Sequence, residues 1–180
     1  MPDLTELIAA ARSGDSSAEE QLFSHLYLDL RQLARSRLKH STPCALLDTT
    51  VLVHEAYLRL HQAGYVSIAD RSHFLAYAGR AMRCIVVDFV RKQNRAHRDD
   101  RDARVLVDPA SLSTGQREIL LVDQALSELA AFSDRLVRVV EMRYFAGMSD
   151  VEIAEALSLN ERTVRRDWEK ARMILAAALK

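Results

Sequence analysis

Apolar residues recur at helical spacing along almost the whole chain, and nowhere do they alternate as a half-buried strand requires. Leu22, Leu26, Leu30, Leu33 and Leu38 step by three to five residues. Phe74, Tyr77, Ala78, Ala81, Ile85, Val86 and Phe89 repeat the pattern. Each set makes one stripe on one helix, which has to be covered by another helix. With only five Gly and three Pro in 180 residues, few positions interrupt such helices. The chain is expected to be all-α.

Breaks in the periodicity divide it. Leu4, Leu7, Ile8 and Ala11 form a short first helix ended by Gly14, and Asp15 or Ser16 caps the next. Pro43 ends that helix. Val53, Ala56, Tyr57 and Leu60 mark a third, followed by a loop at "HQAGYVSIADRS" from which Ser72 caps a long helix. "RDDRDARVLVDPASLSTGQ" loses periodicity and gathers charge, as a linker does. The expected layout is a domain over 1–97, a flexible linker over 98–117 and a second domain over 118–180. Two unspaced cysteines, Cys44 and Cys84, fit a reducing cytoplasm better than a disulfide framework. The opening residues lack signal-peptide order, and no apolar run reaches the roughly 20 residues of a membrane span, so no membrane association is expected.

The net charge is zero, but it is segregated. Asp3, Glu6, Asp15, Glu19, Glu20 and Asp29 face only Arg12, whereas Arg80, Arg83, Arg91, Lys92, Arg95 and Arg98 face only Asp88. A local basic stretch can bind a polyanion despite neutrality overall. Phe74 and Tyr77 followed by Arg80 and Arg83 suit stacking and guidance of a single strand, although such aromatics are more often simply core. At the C-terminus, Ser149 caps a helix with Val151, Ile153, Ala154 and Leu157. After a turn at Ser158-Leu159, Asn160 caps a second helix with Val164, Trp168, Ala171 and Leu175 inward. This is a helix-turn-helix pattern. Its outward residues, Glu161, Arg162, Thr163, Arg165, Arg166, Glu169 and Lys170, are suited to base edges and phosphates. No enzyme is indicated. His54-Glu55 lacks the second His of a zinc helix, His54 and His61 lack a third ligand, and neither a phosphate loop nor a nucleophile elbow occurs. No metal or cofactor is expected.

Three stretches together resemble the extracytoplasmic-function (ECF) class of bacterial RNA polymerase sigma factors, of the sigma-70 family. "VHEAYLRL" is similar to the family's core-polymerase-binding helix. "HFLAYAGRAMRCIVVDFVRKQNR" resembles its promoter-melting and −10-reading helices, with Tyr77 at the usual Trp and Cys84 at the usual Asn. "VVEMRYFAGMSDVEIAEALSLNERTVRRDWEKAR" resembles its −35-reading domain. The resemblance implies core binding through Asp48, Thr50, Glu55, Tyr57 and Arg59, on the β′ coiled coil of the polymerase. It implies capture of an unpaired −10 base by the Tyr65–His73 loop, including Asp70, Arg71, Ser72 and His73, with Tyr77, Arg80 and Arg83 beneath. Promoter DNA and core RNA polymerase are the implied partners, and the cytoplasm the implied location.

One departure stands out. Family members usually carry an acidic cluster before the core-binding helix; here Asp48 is kept, and Thr49, Thr50 and Val51 replace the rest. This resembles a subgroup that lacks the cluster and is associated with Ser/Thr protein kinases. Phosphorylation of Thr50, or of Thr49, would restore the charge. A helix cap is the commoner use of either threonine, and the two readings are compatible. Two other functions remain open on the residues alone. A helix-turn-helix repressor would show a symmetric footprint without polymerase. A helical protein-interaction adaptor would bind no promoter DNA even with it.

Overall fold

A computed structural model describes residues 4–40, 48–64, 68–99 and 113–179; side chains at 36–40 and 96–99 are not described. Among the described residues eight α-helices follow one another: α1 (Leu4–Arg12), α2 (Ser16–His40), α3 (Thr49–Gln62), α4 (Arg71–Asp99), α5 (Thr114–Phe132), α6 (Asp134–Val140), α7 (Asp150–Leu157) and α8 (Glu161–Ala178). A π-helical turn, Glu141–Phe145, extends α6. The described residues contain no strand, as the periodicity requires. Cys44, Tyr65 and most of the segment expected as linker lie outside the described residues. At its edges, Arg98 and Asp99 continue α4, while Ser113 caps α5 through a reciprocal box with Gln116.

Carboxylates and small polar side chains start the helices. Asp15 accepts the backbone N–H groups of Ser17 (2.9 Å) and Ala18 (3.2 Å), so it, rather than Ser16, caps α2. The cap of α4 is Asp70, not Ser72: it takes the His73 N–H at 2.9 Å, and the helix opens at Arg71. Burial works against that carboxylate's charge, but the bonds from His73 and Ser72 outweigh it and hold its pKa below the ordinary value. Asp48 caps α3 by accepting the Val51 N–H at 2.9 Å. Neither Thr49 nor Thr50 fills that role.

The main core is built by α1 to α4 and then continues into the second half of the chain. Leu7, Ile8 and Ala11 of α1 meet Leu22, Leu26, Leu30 and Leu33 of α2, with Leu52, Val53, Ala56 and Leu60 of α3. Phe74, at 0% exposure, is the largest fully buried side chain among the described residues. Tyr57, expected inward, is half-buried and stands edge-on to Phe23 at 4.4 Å, while Leu52 takes the buried position. Val139, Met142, Ala146, Met148, Ile153, Ala154 and Val164 join the same cluster. Helix α4 is therefore covered on two sides, which explains why its buried set (Leu75, Met82, Val87 and Val90 included) is wider than one stripe. At Gly79 the two halves nearly touch backbone to backbone: a Cβ there would lie 2.8 Å from Ala146 Cβ and 2.9 Å from its N. A smaller core of Leu126, Leu129, Leu136, Val137, Val140 and Ala171 holds α5, α6 and α8 together.

Candidate nucleic-acid interface

The C-terminal helix pair is fixed by local chemistry. Ser149 and Glu152 form a capping box, with Glu152 N–H donating to Ser149 Oγ (3.3 Å) and Ser149 N–H to Glu152 Oε2 (2.8 Å). The Ser149 bonds pull the Glu152 carboxyl below its ordinary pKa, partial burial opposes them, and the Arg71 charge assists. Since the folded pKa is the lower one, this contribution is complete above the ordinary carboxylate range and fades as pH falls through the depressed value. Helix α7 ends at Ser158, whose φ of 53° and ψ of 44° reverse the chain. Leu159 N–H closes the turn on the Ala154 carbonyl at 2.8 Å, and Asn160 Oδ1 caps α8 by accepting the Thr163 N–H at 2.8 Å. Buried Ile153, Ala154 and Val164 press the two helices together.

This leaves one face of α8 in solvent. Glu161, Arg162, Arg165, Arg166, Glu169 and Lys170 are exposed and Thr163 is half-buried. Arg162 and Arg166 make no ion pair among the described residues. Arg165 is held by Asp150 (3.0 Å) and Glu161 (2.8 Å), and Asp150 also takes Arg143 at 2.8 Å. Lys170 Nζ sits 5.0 Å from the Phe132 ring centroid, and Glu169 pairs with Arg172 at 2.9 Å. On the inner side, buried Asp167 holds Arg135 at 2.7 Å.

The start of α4 is arranged differently from a free loop. Asp70 pairs with His73 Nδ1 at 3.0 Å besides capping the helix. Arg71 reaches Asp29 of α2 (3.1 Å) and Glu152 of α7 (3.5 Å), and Ser72 lies in the first turn. The Tyr77 hydroxyl donates to the Arg59 carbonyl at 3.0 Å, which ties α4 to α3. Burial raises the phenol's pKa, with the Arg59 and Arg80 charges opposing, so it remains a donor at neutral pH. Arg80 is 63% exposed with Glu141 at 3.9 Å, whereas Arg83 is 14% exposed between Asp123 (2.6 Å) and Glu141 (2.8 Å). On α3, Glu55 and Asp88 flank Arg59 at 3.5 and 3.0 Å. Thr50 is exposed and Thr49 half-exposed in the first turn.

A family model described as ECF sigma factor matches residues 1–180. The chain belongs to the ECF sigma factor family. As an ECF sigma factor it acts in transcription initiation, with core RNA polymerase and promoter DNA as partners, and sigma factors are not enzymes. A solved structure, that of CnrH in complex with the cytosolic domain of CnrY, is similar to this sigma factor over 97% of this chain and 96% of that one, at 22% identity and a TM-score of 0.44. No curated protein matches it. Among the described residues no helix is long and apolar enough to cross a membrane.

Two acids of this sigma factor escaped the reading of its sequence. Asp123 in "LLVDQAL" and Glu141 in "VVEMRYF" are single carboxylates inside apolar runs, and both face Arg83. An isolated acid at a core-facing position is itself the signal, because a charge is buried only when paired.

Proposed function

We propose that this sigma factor reads the −35 element with the exposed face of α8 and the −10 element with the start of α4, and that phosphorylation near α3 switches it on. The observation that carries the reading is the exposed α8 face, where Arg162 and Arg166 stand free of ion pairs among the described residues while Ile153, Ala154 and Val164 anchor the helix behind them. A guanidinium presented from a fixed helix can fork onto guanine or grip phosphate. Residues 1–97 would form the core-polymerase and −10 domain and 118–180 the −35 domain. In the first, Glu55, Tyr57 and Arg59 face the polymerase, and Asp70, Arg71, Ser72, His73, Tyr77, Arg80 and Arg83 serve the unpaired strand.

The switch is supported by Asp48. As the lone carboxylate at the mouth of α3, Asp48 caps the helix through Oδ1 and leaves a single negative charge there for a basic partner. Thr50, exposed in the first turn, is where a phosphate would sit favourably on the helix dipole. Thr49 is the second candidate. The enzyme required is a Ser/Thr protein kinase. Copurification with core polymerase before and after phosphorylation tests the reading, and equal retention of both forms would refute the switch.

The −35 assignment predicts a graded result along α8. Arg166→Ala should weaken promoter binding by about 1–3 kcal/mol if a base contact is lost. A pure phosphate contact would instead weaken all sequences alike and lower the salt slope by about one. Arg165→Ala should cost less than Arg166→Ala, because Arg165 must first leave Asp150 and Glu161. Promoter titrations at several salt concentrations measure both. Wild-type binding by both variants would remove α8 from the DNA.

A further inference from the structure

Among the arginines on the exposed face of α8, Arg165 is already neutralised. It gives Nε to Asp150 Oδ2 at 3.0 Å and Nη2 to Glu161 Oε2 at 2.8 Å. These two nitrogens form one edge of the guanidinium, an edge that could otherwise clamp a phosphate. The two acids differ in kind. Glu161 lies one turn away on α8 and is well exposed, so its pair with Arg165 is an ordinary surface contact of small worth. Asp150 comes from the first turn of α7, is only 16% exposed, and is held from behind by Arg143 Nη2 on its Oδ1 at 2.8 Å. Arg143 is itself seated over the Trp168 ring, 5.0 Å from the centroid. Asp150 is therefore a fixed anion at the corner between α7 and α8, where the first helix of a helix-turn-helix meets the DNA backbone. Capping does not require it, because Ser149 and Glu152 already close the start of α7.

We infer that Asp150 is a specificity-determining residue: it withholds Arg165 from phosphates and yields it only to a correctly placed base. The inference rests on α8 being the −35-reading helix. A phosphate is present in every sequence, and moving Arg165 from one anion to another gains little. Asp150, left behind, would face that phosphate with like charge. A guanine offers O6 and N7 together, and the bidentate fork outweighs the exchange only where those two atoms stand. Discrimination of this kind comes from weakening the wrong contact rather than strengthening the right one.

Asp150→Asn tests this, since the amide keeps the shape and removes the charge. The full chain is titrated by fluorescence anisotropy against two labelled duplexes. One is selected by the wild-type chain from a randomised pool, and the other is a scrambled duplex of the same composition. Asp150→Asn should bind the scrambled duplex about three- to fivefold more tightly, the worth of one exposed ion pair, and its salt slope there should steepen by about one. The selected duplex should gain less, so the ratio of the two affinities falls. Adding Arg165→Ala should remove the gain, which separates Arg165 from Arg143 as its source. Glu161→Gln should act in the same direction and more weakly. No change, an equal gain on both duplexes, or a loss on both would overturn the role given to Asp150 and leave α8 on the DNA. If Arg165→Ala and Arg166→Ala both bind the selected duplex as the wild type does, the −35 reading falls, and the inference falls with it.

Discussion

Thr50→Ala should abolish kinase-dependent transcription from a cognate promoter. The unmodified mouth of α3 offers Asp48 alone, and that side chain is engaged with the Val51 N–H. A phosphate on Thr50 adds about −1.5 to −2 charges and three acceptor oxygens at the turn where the family usually carries acids. Each new charge-assisted bond to Lys or Arg of the polymerase is worth roughly 1.5–3 kcal/mol, so even one bond changes occupancy by about tenfold or more. The helix need not rearrange, because negative charge in a first turn is favourable. Run-off transcription with wild type, Thr50→Ala and Thr49→Ala, each with and without kinase, measures this. Full kinase-dependent activity of the Thr50 variant would transfer the role to Thr49 or eliminate the switch. Thr50→Glu should activate only in part, since one carboxylate carries less charge than phosphate.

Phe74→Ala should destabilise the fold by about 3–5 kcal/mol, a large share of what a domain of this size possesses. The ring has no solvent exposure, and it lies in a cluster to which both halves contribute. Its loss removes transfer energy and leaves a cavity that rigid helices on several sides cannot fill. Chemical denaturation should show a lower midpoint. Phe74→Leu, which keeps most of the volume, should recover much of the loss. A cost below about 1 kcal/mol for the Ala variant would mean that the site collapses freely.

Periodicity alone was enough to place the first four helices and the last two, because burial on one face leaves its mark at every third or fourth residue. Val164, Ala171, Ile153 and Ala154 were legible in this way, as were the caps at Ser149 and Asn160, where a short polar residue directly precedes an apolar run. The start of α4 was read two residues late. "ADRSH" offers both Asp70 and Ser72, and propensity ranks them almost equally. Asp70 gains because its second oxygen can also meet His73. Ser113 and Gln116 form a capping box in sequence as well, but they sit beside Gly115 at the end of a charged, aperiodic stretch. What no stripe could convey was which helix covers which. The basic residues of α4 read as a solvated or DNA-facing surface, and the carboxylates that meet Arg83 lie forty and fifty-eight positions further along the chain.

The π-turn at Glu141–Phe145 carries one residue more than a regular helix would need to reach the same point. Its signature is the Ala146 N–H, which donates to the Glu141 carbonyl five positions back at 3.0 Å. A single-residue deletion in the regular turns of α6 ahead of it would rotate everything beyond by about 100°. Ala146 would then swing away from Gly79, and α7 with its Arg143–Asp150–Arg165 chain would turn with it. The length of α6 therefore acts as a phase setting between the two halves: the π-turn can give up its extra residue by reverting to regular helix, but insertions or deletions in α6 itself should be tolerated far less than in any exposed loop.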